Sequence, residues 1–295
     1  MNRLTYLFAV ATATLLSVTS AFKPAQAEVR VLDFEMDASG NILSGGTQVK
    51  DQWADWGLTI TGKNNKTGHN KAPLLLYDTT QSGADNDLRT GSNWGTANQG
   101  NALIIQEYNN GSYNLHKPDD EAAGGHVWFK FDQEVGFNKF SLLDIDDNFS
   151  SRSGTQVRVI GKNASNQKVL DINVDDLIGR FASTYTDSDH TKSQGKSLTH
   201  AYSNSLGEDI NVTITQVGNK RDDNSMYEFE FDETVLEKVK FQYNGVSGAI
   251  SGLQWDDLTS EEPPQLPEPS AGLGLVFIGL VGVRKILVKG YNTAD

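Results

Sequence analysis

The 295-residue sequence contains no cysteine. That removes disulfides, thiolate metal sites and cysteine nucleophiles at once, so the chain must hold together through its apolar core, with metal ions as the other available staple. Basic residues are scarce as well: 25 Lys and Arg stand against 38 Asp and Glu, a formal charge of −13. Five of the basic residues (Arg3, Lys23, Arg284, Lys285 and Lys289) but only two of the acidic ones (Glu268 and Asp295) lie outside residues 28–262, so the middle is more acidic still. Such a body repels polyphosphate and anionic membrane surfaces. This excludes nucleic acid as a partner and favours divalent cations or neutral ligands. The histidines His69, His116, His126, His190 and His200 show no His-x-His or His-Glu-x-x-His spacing, and no serine sits in a Gly-x-Ser-x-Gly turn. The signatures of zinc and serine hydrolases are therefore missing.

Long apolar runs are confined to the two ends. At the front, Arg3 precedes an apolar stretch over 4–18 and the small-residue site Ala25-Gln26-Ala27, the layout of a secretory signal peptide over 1–27. At the back, residues 259–269 hold four prolines and read as an extended tether. An apolar run over 271–283 follows, then Arg284-Lys285. Thirteen helical residues rise roughly 20 Å against a hydrocarbon core of about 30 Å, so the expected membrane helix, 270–288, reaches across only if the two cations snorkel. Basic residues on that side place 289–295 in the cytoplasm and the body outside. The order Pro267-Glu268-Pro269, short apolar helix, Arg284-Lys285 resembles the PEP-CTERM sorting signal of exopolysaccharide-producing Gram-negative bacteria. The resemblance implies an exosortase-type membrane protease as partner, with these five residues as its recognition elements, and a final location at the cell surface or outside the cell. Here residues 286–295 extend past the basic pair, further than that family's usual stop.

The region between, 28–258, reads as one domain. Apolar residues alternate in short runs such as Val29-Val31, Leu58-Ile60, Val127-Phe129-Phe131, Val157-Val159, Ile210-Val212-Ile214 and Val239-Phe241-Tyr243, with Gly, Asn and Asp between them. Period two predicts half-buried strands, so the expected fold class is all-β: a jelly-roll-like antiparallel β-sandwich of about eleven to thirteen strands. Two stretches echo each other, Phe129-Lys130-Phe131-Asp132-Gln133-Glu134-Val135 and Phe229-Glu230-Phe231-Asp232-Glu233-Thr234-Val235. Each predicts a hairpin: strand, polar turn, strand. A short helix is expected over 175–181, opening a polar stretch that interrupts the rhythm.

Oxygen ligands are the abundant functional material. Asp33 and Glu35 lie in the first strand motif, and Asp256 and Asp257 close the body in Gln254-Trp255-Asp256-Asp257. In a jelly roll the first and last strands commonly pair, so Asp33, Glu35 and Asp257 are expected to converge on one ion. This is similar to the structural calcium site of carbohydrate-binding jelly rolls, a resemblance that implies Ca²⁺ as cofactor. Calcium suits such a set because it takes six to eight hard oxygens in irregular geometry. Two further candidate ligand groups are Asp78, Asp85 and Asp87, and Asp144 and Asp146. Asp119-Asp120-Glu121 adds acid before Gly124-Gly125.

Candidate sugar-stacking residues are Trp94, in Gly91-Ser92-Asn93-Trp94-Gly95, and Tyr108 and Tyr113 around Asn109-Asn110-Gly111. Aromatic faces receive the apolar faces of sugars while Asn, Asp and Gln bond the hydroxyls. Trp53 and Trp56 are expected in the core. The functional expectation is a non-enzymatic, calcium-supported domain that binds extracellular polysaccharide or cell-surface matrix. The alternatives are a glycosidase or polysaccharide lyase on the same fold, with Glu107 and either Glu35 or Asp146 as the carboxylate pair, and a purely structural surface protein.

Overall fold

In the computed structural model, residues 28–81, 85–145, 156–185, 194–218 and 224–258 are described. The expected signal peptide, tether and membrane helix, with Pro267, Glu268, Pro269, Arg284 and Lys285, lie outside these residues, as does Asp146. Among the described residues no helix is long and apolar enough to cross a membrane.

The domain is all-β, antiparallel and sandwich-like, organised by two long strands. Strand β8 (Gly124–Leu143) and strand β13 (Met226–Asn244) run antiparallel along almost their whole length, from Met226 opposite Leu143 to Asn244 opposite Gly124. Around the first half of β8 gather β2 (Leu58–Asn64) and β3 (Asn70–Ala72) on one side; β9 (Val157–Lys162) and β10 (Lys168–Asn173) extend the matching half of β13. Around the second half of β8 lie β14 (Ala249–Asp257), β5 (Asn101–Ile105) and β4 (Leu74–Asp78). The corresponding half of β13 carries β12 (Asp209–Gln216) and β11 (Ser197–Ser203). Strand β1 (Glu28–Leu32) pairs β14, from Glu28 opposite Asp257 to Leu32 opposite Leu253, so the first and last strands are neighbours.

The two echoing stretches are not hairpins. Each runs straight through as one strand, and the two lie side by side, Lys130 opposite Lys238 and Phe140 opposite Phe229. The polar triplets expected to turn fall where the register shifts, between Glu230 and Thr234 and between Leu236 and Lys238. A strand that passes from one layer to the other has no core-facing side at the crossing, so polar residues sit there without ending the ladder. Beyond the crossing the aromatic residues meet inside. Phe140 stacks on Phe229 with centroids 4.7 Å apart, and Phe241 meets Phe140 and Phe129 edge-on at 5.3 and 5.5 Å. All four are fully buried, each contributing roughly 1.5–3 kcal/mol through removal of apolar surface from water.

The one α-helix among the described residues, α1 (Val174–Thr184), begins where the Asn173 side chain accepts the Asp176 N–H at 3.2 Å, with Asp175 and Asp176 in the first turn where the helix dipole favours acid. Val174, Leu177, Ile178 and Phe181 are buried at the spacing of one helical face. Trp53 is in the core as expected, edge-on to Phe34 at 5.6 Å, and Trp56 packs against it from a half-buried position. In β1, however, Val29 and Val31 are more than half exposed, because Leu32 at the core sets the parity and turns Arg30 to the same side.

Strands β4 and β5 are buried on both faces. Leu74, Leu76, Leu103 and Ile105 join the main core, while Leu75, Tyr77, Ala102 and Ile104 form a second, smaller one with Leu88, Leu143, Met226 and Ala249. The loops that cover this outer face carry the polar features described next.

Candidate functional site

Residues 106–123 leave the sheet after β5 and return at β8. Their base is closed by backbone bonds, Glu107 N–H to Asp119 O at 2.8 Å and Glu121 N–H to Ile105 O at 3.0 Å. The buried Gln106 side chain spans the neck, donating to Lys117 O and accepting from Asp119 N–H, each at 3.2 Å. Buried Glu121 accepts from Asn64 Nδ2 at 2.7 Å and Tyr108 N–H at 3.0 Å, tying the excursion to β2. The polar groups at the neck are thus bonded, as burial requires.

At the tip, β6 (Tyr108–Asn109) and β7 (Ser112–Tyr113) form a two-residue hairpin. Asn110 (φ 50°) and Gly111 (φ 85°) both adopt the left-handed conformation that a type I′ turn needs. The turn sets Tyr108 opposite Tyr113, centroids 5.0 Å apart, and His69 closes the group at 5.9 and 6.2 Å from the two rings. Two of the three expected stacking residues are therefore brought together, with a histidine that the sequence reading passed over. Trp94 is not part of this group; its indole lies under the Arg89 guanidinium at 6.0 Å.

Next to the excursion opens a cleft of about 810 Å³ lined by Glu35, Leu43, Tyr77, Asp78, Leu115 and His116. Its acids are already engaged locally. Glu35 accepts the Asn101 N–H, and Asp78 Oδ1 accepts from the Thr80 N–H at 2.9 Å and hydroxyl at 2.6 Å.

Behind the cleft lies a group of three carboxylates, Asp85, Asp119 and Asp120, with one oxygen of each within 4.8 Å of the others. Asp120 is buried and Asp85 and Asp119 are half-buried. Asp120 Oδ2 accepts the Gly248 N–H at 2.6 Å, and Asp85 Oδ1 accepts the Asp87 N–H at 2.9 Å. Burial, then the Asp85 carboxyl, pushes the Asp120 carboxyl well above the usual carboxylate range; burial, Asp85 and Glu107 push Asp119 up in the same way. Tyr77, which lines the cleft, donates its hydroxyl to Asp85 O, and burial together with Asp85 raises its pKa to about 12.

The other expected ligands go elsewhere. Asp257 accepts from Arg30 Nε at 2.9 Å and Trp255 Nε1 at 3.2 Å, so the paired first and last strands share an ion pair. Asp33 caps its own turn through the Glu35 N–H at 3.0 Å, and Asp33, Glu35 and Asp257 do not come together as one set. Buried Asp144, in the left-handed conformation (φ 57°), has its carbonyl against Gly248, where an added Cβ would stand 2.9 Å away. Glu107 lies 4.0 Å from Lys66 Nζ, in a network separate from that of Glu35.

Asp119 and Asp120 were visible in the sequence only as extra acid, and the Asp-Asp pair before Gly-Gly was the one available signal. No protein-family model, no curated protein and no solved structure matches this chain.

Proposed function

We propose that this is an exported protein, sorted at the membrane by an exosortase-type protease through Pro267-Glu268-Pro269, whose jelly-roll-like domain binds extracellular polysaccharide without catalysis. Calcium is the metal its acidic loops suit, because carboxylates on irregular loops meet its demand for many hard oxygens. The observation that carries the binding reading is the Tyr108–Tyr113–His69 group raised on a hairpin beside the polar cleft. Rings that meet edge-on or tilted, not stacked, leave ring faces for the apolar faces of sugars, and the polar groups of the cleft can bond hydroxyls. The acidic body makes a neutral glycan the better fit, since an anionic one would approach against repulsion.

The reading is tested by affinity electrophoresis of the full chain through gels containing neutral and acidic polysaccharides, with the same mixtures assayed for new reducing ends and unsaturated sugars. Retardation by a neutral polysaccharide is expected, weakened roughly tenfold by Tyr113→Ala, about the 1.4 kcal/mol of one aromatic contact. Product formation would transfer the domain to the glycosidase or lyase class. Unretarded migration in every gel would leave a structural surface protein.

A further inference from the structure

We propose that Asp85, Asp119 and Asp120 form a divalent-cation site, with calcium as the fitting ion, that fastens the 85–89 loop and the 106–121 excursion to the turn between β13 and β14. It gives the calcium of the reading above a location, and it does not depend on glycan binding.

The first support is distance. Oxygens bound to one calcium lie 2.3–2.6 Å from it and so stand no more than about 5 Å apart. The three carboxylates satisfy that, each with one oxygen within 4.8 Å of the others. They come from two stretches far apart in sequence, Asp85 from one and the neighbours Asp119 and Asp120 from the other, and what places them is the fold itself. The Asn224 side chain holds the 85–89 loop by donating to the carbonyls of Asn86, Asp87 and Arg89 at 2.7, 2.8 and 3.0 Å. Gln106 and the backbone bonds of the neck fix Asp119 and Asp120. Gly248 brings in the turn, and its left-handed backbone (φ 137°) close to Asp144 O leaves no room for a side chain there.

The second support is an independent one. The Tyr243 hydroxyl, on a side chain that is 2% exposed, has no hydrogen-bond partner among the described residues. The charge that acts on it is that of Asp120, which with burial drives its pKa upward. A buried hydroxyl without a partner costs about 1–3 kcal/mol. Beside a carboxylate group, a bound cation with its waters supplies the missing partner. A shared proton does not, since it bridges one pair of carboxylates and leaves both the third acid and the tyrosine as they were.

The third support is the lack of an ion pair. Among the described residues no ion pair reaches Asp85, Asp119 or Asp120, and the charged groups acting on Asp120 are the other two aspartates. Lys117 acts on Asp119, and Arg89 acts on the neighbouring Tyr77. Three carboxylates in one partly buried place, with no ion-paired base, leave a net charge that water only partly reaches.

The test is a calorimetric titration of the chelator-stripped full chain with calcium chloride, and magnesium chloride as the comparison, alongside thermal melts. One calcium per chain is expected, with magnesium at least tenfold weaker because the site is irregular rather than octahedral. Asp120→Asn should weaken calcium at least tenfold, and so should Asp119→Asn, which is half-buried and serves if Asp120→Asn does not fold. Asp171→Asn, on β10 and bonded to Arg158, should leave the affinity unchanged. No binding heat together with superimposable melts in calcium and chelator would overturn the proposal, as would equal affinity in wild type and Asp119→Asn. Either result is independent of whether any polysaccharide is bound.

Discussion

Asp171 and Asp120 are both aspartates held against the same sandwich, and their surroundings are opposite. Asp171, on β10, accepts two bonds from Arg158 at 2.5 and 2.6 Å and one from Lys168. Burial works against its charge, yet those bonds hold its pKa below the usual carboxylate range. Asp120 accepts one backbone N–H and otherwise faces acid, and its pKa is driven up. Asp257 resembles Asp171, with Arg30 and Trp255 as donors. A carboxylate's role is decided by what the fold turns toward it. Acid opposite base completes itself and fastens two strands, whereas acid opposite acid calls for a cation from outside.

That contrast can be broken most forcefully from the core the two regions share. Phe140→Ala removes a ring stacked on Phe229 and touching Phe241, and should cost about 3–5 kcal/mol in denaturant unfolding. The loss should be the same in calcium and in chelator, because Phe140 lies outside the acidic group. A smaller effect is expected for Asp171→Asn, about 1 kcal/mol, discounted because Arg158 and Lys168 are each 39% exposed and screened by water. It too should be blind to calcium, and salt should shrink it. Smallest is Asp257→Asn, under about 1 kcal/mol, since its partner Arg30 already has Glu28 at 2.8 Å as a second acid. A calcium-dependent cost at Asp171 or Asp257 would erase the distinction between the two kinds of carboxylate.

The period-two runs made the strands legible, together with the pairing of the first strand with the last and the helix after β10. The crossings were not legible, because Asp132-Gln133-Glu134 and Asp232-Glu233-Thr234 have the composition of turns and only the paired partner strand keeps them extended. The site divides in the same way. Tyr108 and Tyr113 were readable, since Asn-Gly between them specifies a hairpin that sets them opposite each other. The acidic group was not, because Asp85 and Asp120 meet through loops without periodicity, placed by the Gln106 side chain and by that of Asn224, far away in sequence. Asp33 and Glu35 looked equally suitable as ligands, and backbone N–H groups took them instead, that of Glu35 for Asp33 and that of the distant Asn101 for Glu35.

The central claim is tested most directly by melting wild type and Asp120→Asn across pH, each with calcium and with chelator. The pair is needed because His126, whose pKa burial and then Lys240 and Lys63 lower to about 4, removes stability of its own as pH falls below its unfolded value near 6.5. For Asp120 the sign is opposite. Its folded pKa is raised, so without metal its charge costs stability at neutral pH, and that cost is relieved as pH falls through the raised value toward the unfolded one near 3.9. In chelator Asp120→Asn should therefore melt above wild type at pH 7, the gap closing on acidification. In calcium the order should reverse at pH 7, with wild type gaining about 2.7 kcal/mol at a hundredfold excess over Kd. Asp120→Asn melting below wild type by the same amount in calcium and in chelator would contradict the account.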